Sequence, residues 1–254
     1  MKLNIAWDIF FASSLIFAGY SYFSSKPLVY GISKLRQSLF GLALALMALI
    51  LVGPIPHLAT HNFTVHMIQH ISLMMLISPL IVLGSPFKIF RIDRGVFRLL
   101  FKPEVGFSIF LATLIVTHFS PLANAGMRNS NVHSLELIMF IVAGTIYYYP
   151  VMEGNPQPFH VAYSTRVMSL FAMMLPETMT GFFLYSGNRV VHSLPDGVTM
   201  EMGLKDQHNG GAIMWAMGML IDTVWIVLAA RDWFTNEAKS VSYTHLTLPT
   251  KRIV

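Results

Sequence analysis

The 254-residue chain contains no cysteine. That absence removes disulfides, iron–sulfur clusters and thiolate metal sites together. Charge is scarce as well: Asp, Glu, Lys and Arg make up 11% of the residues, about half the share found in soluble domains. The net charge of +5 gathers into no basic, aromatic-interleaved stretch, which argues against nucleic acid as a partner. No internal repeat, low-complexity tract or long linker interrupts the chain, so residues 1–239 read as one domain.

What is abundant is hydrocarbon. Hydrophobic residues supply 54% of the chain and the mean hydropathy is +0.59, so the lipid bilayer is the solvent to reason with. Windows of roughly 20 apolar residues predict seven membrane spans, at about 6–23, 37–55, 64–84, 104–123, 132–151, 165–185 and 211–230. The first follows Lys2 and has some character of a signal peptide, but Trp7 and Asp8 sit badly in one and no small-residue cleavage site follows. The expected fold is an all-α, seven-helix membrane bundle. The last stretch, "SVSYTHLTLPTKRIV" (240–254), has no amphipathic period and resembles translated adapter sequence. It is set aside, with His245, Lys251 and Arg252.

Lysine and arginine in short loops predict orientation. Lys26, Lys34, Arg36, Lys88, Arg91, Arg94, Arg98, Lys102, Arg166, Arg231 and Lys239 would share one face, against Lys2, Arg128, Arg189 and Lys205 on the other. The basic face is expected to be cytoplasmic, with the N-terminus outside and the C-terminus inside.

The histidines then fall on the outer side, except His160. His57 and His61 lie in the second loop, and His66 and His70 open the third span in "HNFTVHMIQHISLMMLISPLIVLG" (61–84). His118 ends the fourth span, His133 begins the fifth, and His192 and His208 belong to the last outer loop. At a rise of 1.5 Å per residue, His66, His70, His118, His133 and Glu136 share a slab about 10 Å thick. His66 and His70 leave one helix face, and Met74 is expected to continue that face while Met67 turns about 100° away. His133 and Glu136 form an i, i+3 pair suited to a ligand and the carboxylate that orients it. Imidazole suits copper and zinc, and thioether favours Cu(I).

Taken singly, His57, His61 and His192 read as hydrogen-bonded residues of the membrane border. Buried methionines such as Met173, Met174, Met217 and Met219 read as soft core. Four imidazoles from three helices at one depth are different, and they point to a metal site. Glu177 and Asp222 lie within the sixth and seventh spans, where each carboxylate costs about 2.5–3.5 kcal/mol and so calls for a partner or a wet cavity. Glu177 is placed to face the metal region from below. In "KDQHNGGAIMW" Asp206 would lie near the N-terminus of the seventh helix, and Gly210 and Gly211 would admit another backbone closely.

These motifs together resemble the CtaG-like assembly factors of caa3-type cytochrome c oxidase. The resemblance rests on "HMIQHISLMMLISPLIVLGSP", on His118 followed by Pro121–Leu122, on "VHSLELIMF", on "YYYPV", and on "DQHNGGAIMW" with Asp206, Gln207, Gly211 and Trp215. It covers about residues 57–230 and keeps the family's order. Two details depart from the pattern: the proline in "HFSP" lies three residues beyond His118, and tyrosines fill "YYYPV". The resemblance implies a seven-helix protein of the bacterial plasma membrane that is not an enzyme. It would bind copper at the outer face through His66, His70, His118 and His133 and hand it to cytochrome c oxidase subunits. Met67, Met74, Glu136, Asp206, His208 and His61 would be auxiliary. The alternatives are a zinc-dependent membrane hydrolase of the lipid amidase type with Glu136 or Asp206 as base, a haem protein using His70 and His118, and a metal-free assembly scaffold.

Overall fold

The computed structural model describes residues 5–91, 95–152, 157–195 and 197–246, with side chains described except at 96 and 238–246. Lys2, Arg94, Lys251 and Arg252 lie outside the described residues, as do the side chains of Lys239 and His245.

Every regular element among the described residues is helical. The principal helices are α1 (Ile5–Ser24), α2 (Lys34–Leu51), α3 (Pro54–Ala59), α4 (Phe63–Leu83), α5 (Pro103–Phe119), α6 (Pro121–Arg128), α7 (Ser130–Val151), α8 (Tyr163–Ser186) and α9 (Met200–Leu246). By length and composition five of them can cross a membrane: α2, α4, α7, α8 and the Met200–Glu237 part of α9. Counting α5 and α6 as one bent span makes six. The 20-residue α1 is not among them.

Three elements differ from the windows expected of the sequence. The fourth window, 104–123, is broken: α5 stops at Phe119 and α6 leaves at 69°. Pro121 disfavours helical geometry at the residue before it, and Ser120 is extended (φ −118°, ψ 170°), its hydroxyl accepting from the Leu122 N–H at 3.1 Å. The seventh window begins eleven residues early, because α9 starts at Met200 and so contains Asp206, Gln207 and His208. Its far end also runs on to Leu246, past the expected stop at 239 and into the stretch set aside. At 1.5 Å per residue its 47 residues reach about 70 Å, more than twice the hydrocarbon thickness.

The third difference lies inside α4, which widens into a π-helical segment at Ser72–Ile77. Pro79 has no N–H to give and its ring crowds the carbonyl four residues back, that of Met75. The Met75 carbonyl freed here finds a side-chain donor, as a polar backbone in lipid must. Trp225 Nε1 donates to the Met75 carbonyl at 2.9 Å, and Ser78 Oγ to that of Leu73 at 2.8 Å. Met74, one turn beyond His70, lies within this wider turn. Its backbone abuts α7 at Gly144, where a Cβ would sit 2.7 Å from the Met74 carbonyl.

Glycine also governs the α8–α9 contact. A Cβ on Gly211 would meet the Tyr185 nitrogen at 2.5 Å, and one on Gly181 the Trp215 nitrogen at 2.7 Å. Cations collect at one end of the bundle. Arg36 and Arg166 line a common 270 Å³ cleft with Asp232, while Arg98 and Lys102 lie over the Phe159 ring. The histidines, His160 apart, lie toward the other end.

Candidate metal centre

Asn62 starts α4 by accepting from the Val65 N–H at 2.8 Å. A second cap comes from α9. Asp206 accepts from the Phe63 and Thr64 N–H groups at 2.7 and 3.1 Å and from the Thr64 hydroxyl at 2.5 Å. Asp206 therefore does sit at a helix N-terminus, but it is that of α4 and not of its own helix. With Gln69 and the π segment, this cap fixes how the first two turns of α4 present His66 and His70.

Four imidazoles and one carboxylate meet there. His66, His70, His118, His133 and Glu136 are all buried. Ring centroids lie 4.2 Å apart for His66–His70, 4.8 Å for His66–His133 and 5.5 Å for His70–His118. Phe140 packs against His70 at 4.0 Å. One ligand atom each from His66, His70 and Glu136 falls within 4.8 Å of the others. The broken α5–α6 corner contributes Gly126, where a Cβ would strike the Glu136 carboxylate. That residue type is what lets the carboxylate occupy its position.

Backbone and amide partners settle which nitrogens are free. His118 Nδ1 lies 2.8 Å from the Leu114 carbonyl, an acceptor, so Nδ1 carries the proton and Nε2 a lone pair. Gln69 Nε2 donates to the Ile50 carbonyl at 2.8 Å, which orients the amide and turns Oε1 toward His133 Nε2 at 2.9 Å. His133 must then hold its proton on Nε2, leaving Nδ1 bare. His66 Nδ1, both nitrogens of His70, His118 Nε2, His133 Nδ1 and both oxygens of Glu136 have no hydrogen-bond partner.

Lone pairs thus face lone pairs, and the one N–H of His70 is unpartnered among them. His133 Nδ1 stands 3.7 Å from Glu136 Oε2, too far for a hydrogen bond. Two ligands of one ion at metal–nitrogen and metal–oxygen lengths of 2.0–2.2 Å are separated by about 3.4–3.6 Å. Leaving one buried polar group unpartnered costs about 1–3 kcal/mol, and here several occur together. A cation is the species that would answer these lone pairs together, and His118 and His133 are already anchored through their other nitrogen, as metal-binding histidines usually are.

Other residues assigned to the site lie elsewhere. Met67 packs on α9, its Cγ 3.1 Å from where a Cβ on Gly210 would stand. His208 Nε2 bonds the Gly187 carbonyl at 2.7 Å. His61 is exposed, with Nδ1 at 2.8 Å from Thr60 Oγ1. Glu177 hydrogen-bonds Asp222 and does not join the histidines. Gln69, fully buried, is the functional residue that sequence reasoning passed over. Its signal was an amide in the middle of an apolar span, where polar side chains need partners. His192 was read only as a border residue, yet it is buried and its Nε2 has no partner. Burial holds its imidazole below the usual histidine range, against the opposing pull of the Ser193 carbonyl and Asp206.

Comparison with known proteins adds family information. The cytochrome c oxidase caa3 assembly factor family (Caa3_CtaG) matches residues 17–236. Uncharacterized proteins of Mycobacterium bovis and Mycobacterium tuberculosis are each 26% identical over 208 residues, which is 71% of this chain and 31% of theirs. A third, from Mycobacterium leprae, is 26% identical over 199 residues, 67% of this chain and 30% of its own. The chain thus spans less than a third of the length of these relatives. No solved structure matches.

Proposed function

The chain belongs to the cytochrome c oxidase caa3 assembly factor family, and from that premise we propose that it binds copper at the outer end of the bundle and delivers it to an oxidase subunit. The bilayer is that of the bacterial plasma membrane. Seven spans cross it, α1 among them and α5 with α6 as one, with the N-terminus outside and the C-terminus inside. The collection of Arg36, Arg166, Arg98 and Lys102 at the opposite end supports this orientation.

One observation carries the copper reading: a buried set of imidazole and carboxylate lone pairs that no hydrogen bond answers. His66, His70 and Glu136 would hold the ion, with His118 and His133 beside them as the ligands through which it is exchanged. Copper is cargo here, and the chain's part is to hold it and release it. With Met67 turned to Gly210, the donors gathered at the site are imidazole and carboxylate. That set favours a divalent ion over Cu(I).

The same donors favour a second reading, a zinc hydrolase, because two histidines and a glutamate are the ligands of several catalytic zinc sites. Such an enzyme also needs a general base. Gln69 cannot accept a proton, and Asp206 is committed to the α4 cap. Metal analysis of the protein purified in mild detergent, beside His70→Ala, separates the readings. Copper near one ion per chain, lost in the variant, is the expected result. Zinc in its place would shift the work to lipid amides, and metal in neither protein after copper is supplied would leave an assembly scaffold.

A further inference from the structure

We propose that His192 is an outer metal-binding station on the route by which the ion reaches His66. The proposal rests on the reading that the buried cluster binds metal. His192 lies in the loop 187–199 between α8 and α9, 8% exposed. Its ring lies flat on Phe63, with centroids 4.4 Å apart and planes at 8°. Phe63 in turn runs nearly parallel to His66, at 6.3 Å and 19°. One aromatic ring therefore bridges the loop histidine and the first histidine of the cluster.

The nitrogens of His192 repeat the arrangement at His118. Nδ1 faces the Ser193 carbonyl at 3.1 Å, so it holds the proton and Nε2 is bare. That Nε2 is buried and has no partner. Stacking on Phe63 accounts for the ring's position but not for a buried lone pair left unsatisfied, which costs about 1–3 kcal/mol. The two histidines also share surroundings. His118 and Val191, the residue before His192, line the same 420 Å³ cleft. His118, of the same tautomer as His192, therefore borders a cleft that reaches the loop carrying His192.

The loop is held for this purpose from within α9. Gln207 is fully buried and spends its whole amide on the segment leading to His192. Its Oε1 accepts from the Val191 N–H at 2.8 Å, and its Nε2 donates to the Arg189 and Leu184 carbonyls at 3.1 and 3.3 Å. The neighbouring Asp206 carboxylate adds negative potential at the station, acting on His192.

The test follows copper uptake by the full chain in detergent, mixed with Cu(II) sulfate and desalted at successive times before elemental analysis. His192→Phe keeps a ring to stack on Phe63 and removes both nitrogens; His208→Ala is a control in the same region. The expected result is an unchanged final copper content with uptake slowed about tenfold or more in His192→Phe, and no change in His208→Ala. Freeze-quenched samples of wild type should also show an early Cu(II) paramagnetic signal that decays into the final one, absent from His192→Phe. Uptake at the wild-type rate in His192→Phe would overturn the station while leaving the buried site intact. Loss of final copper in His192→Phe would overturn it too, because His192 would then belong to the resident site. If wild type itself takes up no copper, the reading beneath both has failed, and the wild-type arm alone reports that.

Discussion

Two polar groups are buried in this apolar bundle, and they are built of different materials. Midway along α8 and α9, Glu177 and Asp222 hydrogen-bond each other, and each keeps one oxygen without a partner. At the histidine end, four imidazoles and Glu136 leave seven nitrogen and oxygen atoms unpartnered. Two carboxyls can share a proton and so answer much of their own desolvation cost. Imidazoles whose protons are already committed to Leu114 and Gln69 offer one another only lone pairs. The acid pair closes on itself, whereas the histidine cluster stays open to a cation. Burial alone therefore does not mark a ligand site; unanswered lone pairs of one kind do.

The comparison can be broken most decisively at Gln69. Gln69→Leu cuts the tie that fixes the His133 tautomer, and copper affinity should fall about 10–100-fold in a competitive chelator titration. Unchanged affinity would show that the anchoring of His133 is irrelevant to binding. Gly126→Ala tests the carboxylate in the same assay. A methyl group there displaces Glu136, and about a tenfold loss of affinity is expected, with thermal unfolding little altered because the broken corner can shift. Between the two groups, Trp225→Phe strands the Met75 carbonyl and should cost about 1–3 kcal/mol of stability, read from unfolding in detergent, with copper content retained. The smallest effect is expected at the acid pair. Asp222→Asn keeps a hydrogen-bonding partner for Glu177 and should leave copper content as in wild type; a fall to half or less would mean that the two groups are not independent.

Much of this was legible along the chain. The apolar windows located the helices within a few residues, the seventh excepted, because a span in lipid must hide its own backbone. The His66–His70 pair needed only the helical repeat, and a common depth for His118 and His133 followed from the same rise per residue. The close approach of α8 to Gly211 was likewise readable from a glycine pair in a span. Other features resisted. Pro79 is visible, but whether it kinks, ends or widens a helix depends on which donors reach the freed carbonyls, and Trp225 lies 150 residues away. Asp206 looked like a cap for the helix that carries it, and the α4 N-terminus it serves is 143 residues distant.

The amino-acid sequence by itself determined the solvent, the helices, the absence of thiolate chemistry and the identity of the donor side chains. Each of these follows from residue type and from a period carried within one segment. Tertiary structure decided which nitrogen of His118 and of His133 is bare, that Glu136 stands with the histidines while Glu177 does not, and that His192 keeps a buried nitrogen without a partner. Those outcomes depend on hydrogen-bond partners brought from other helices. A tautomer is set by the acceptor that packing places beside the ring.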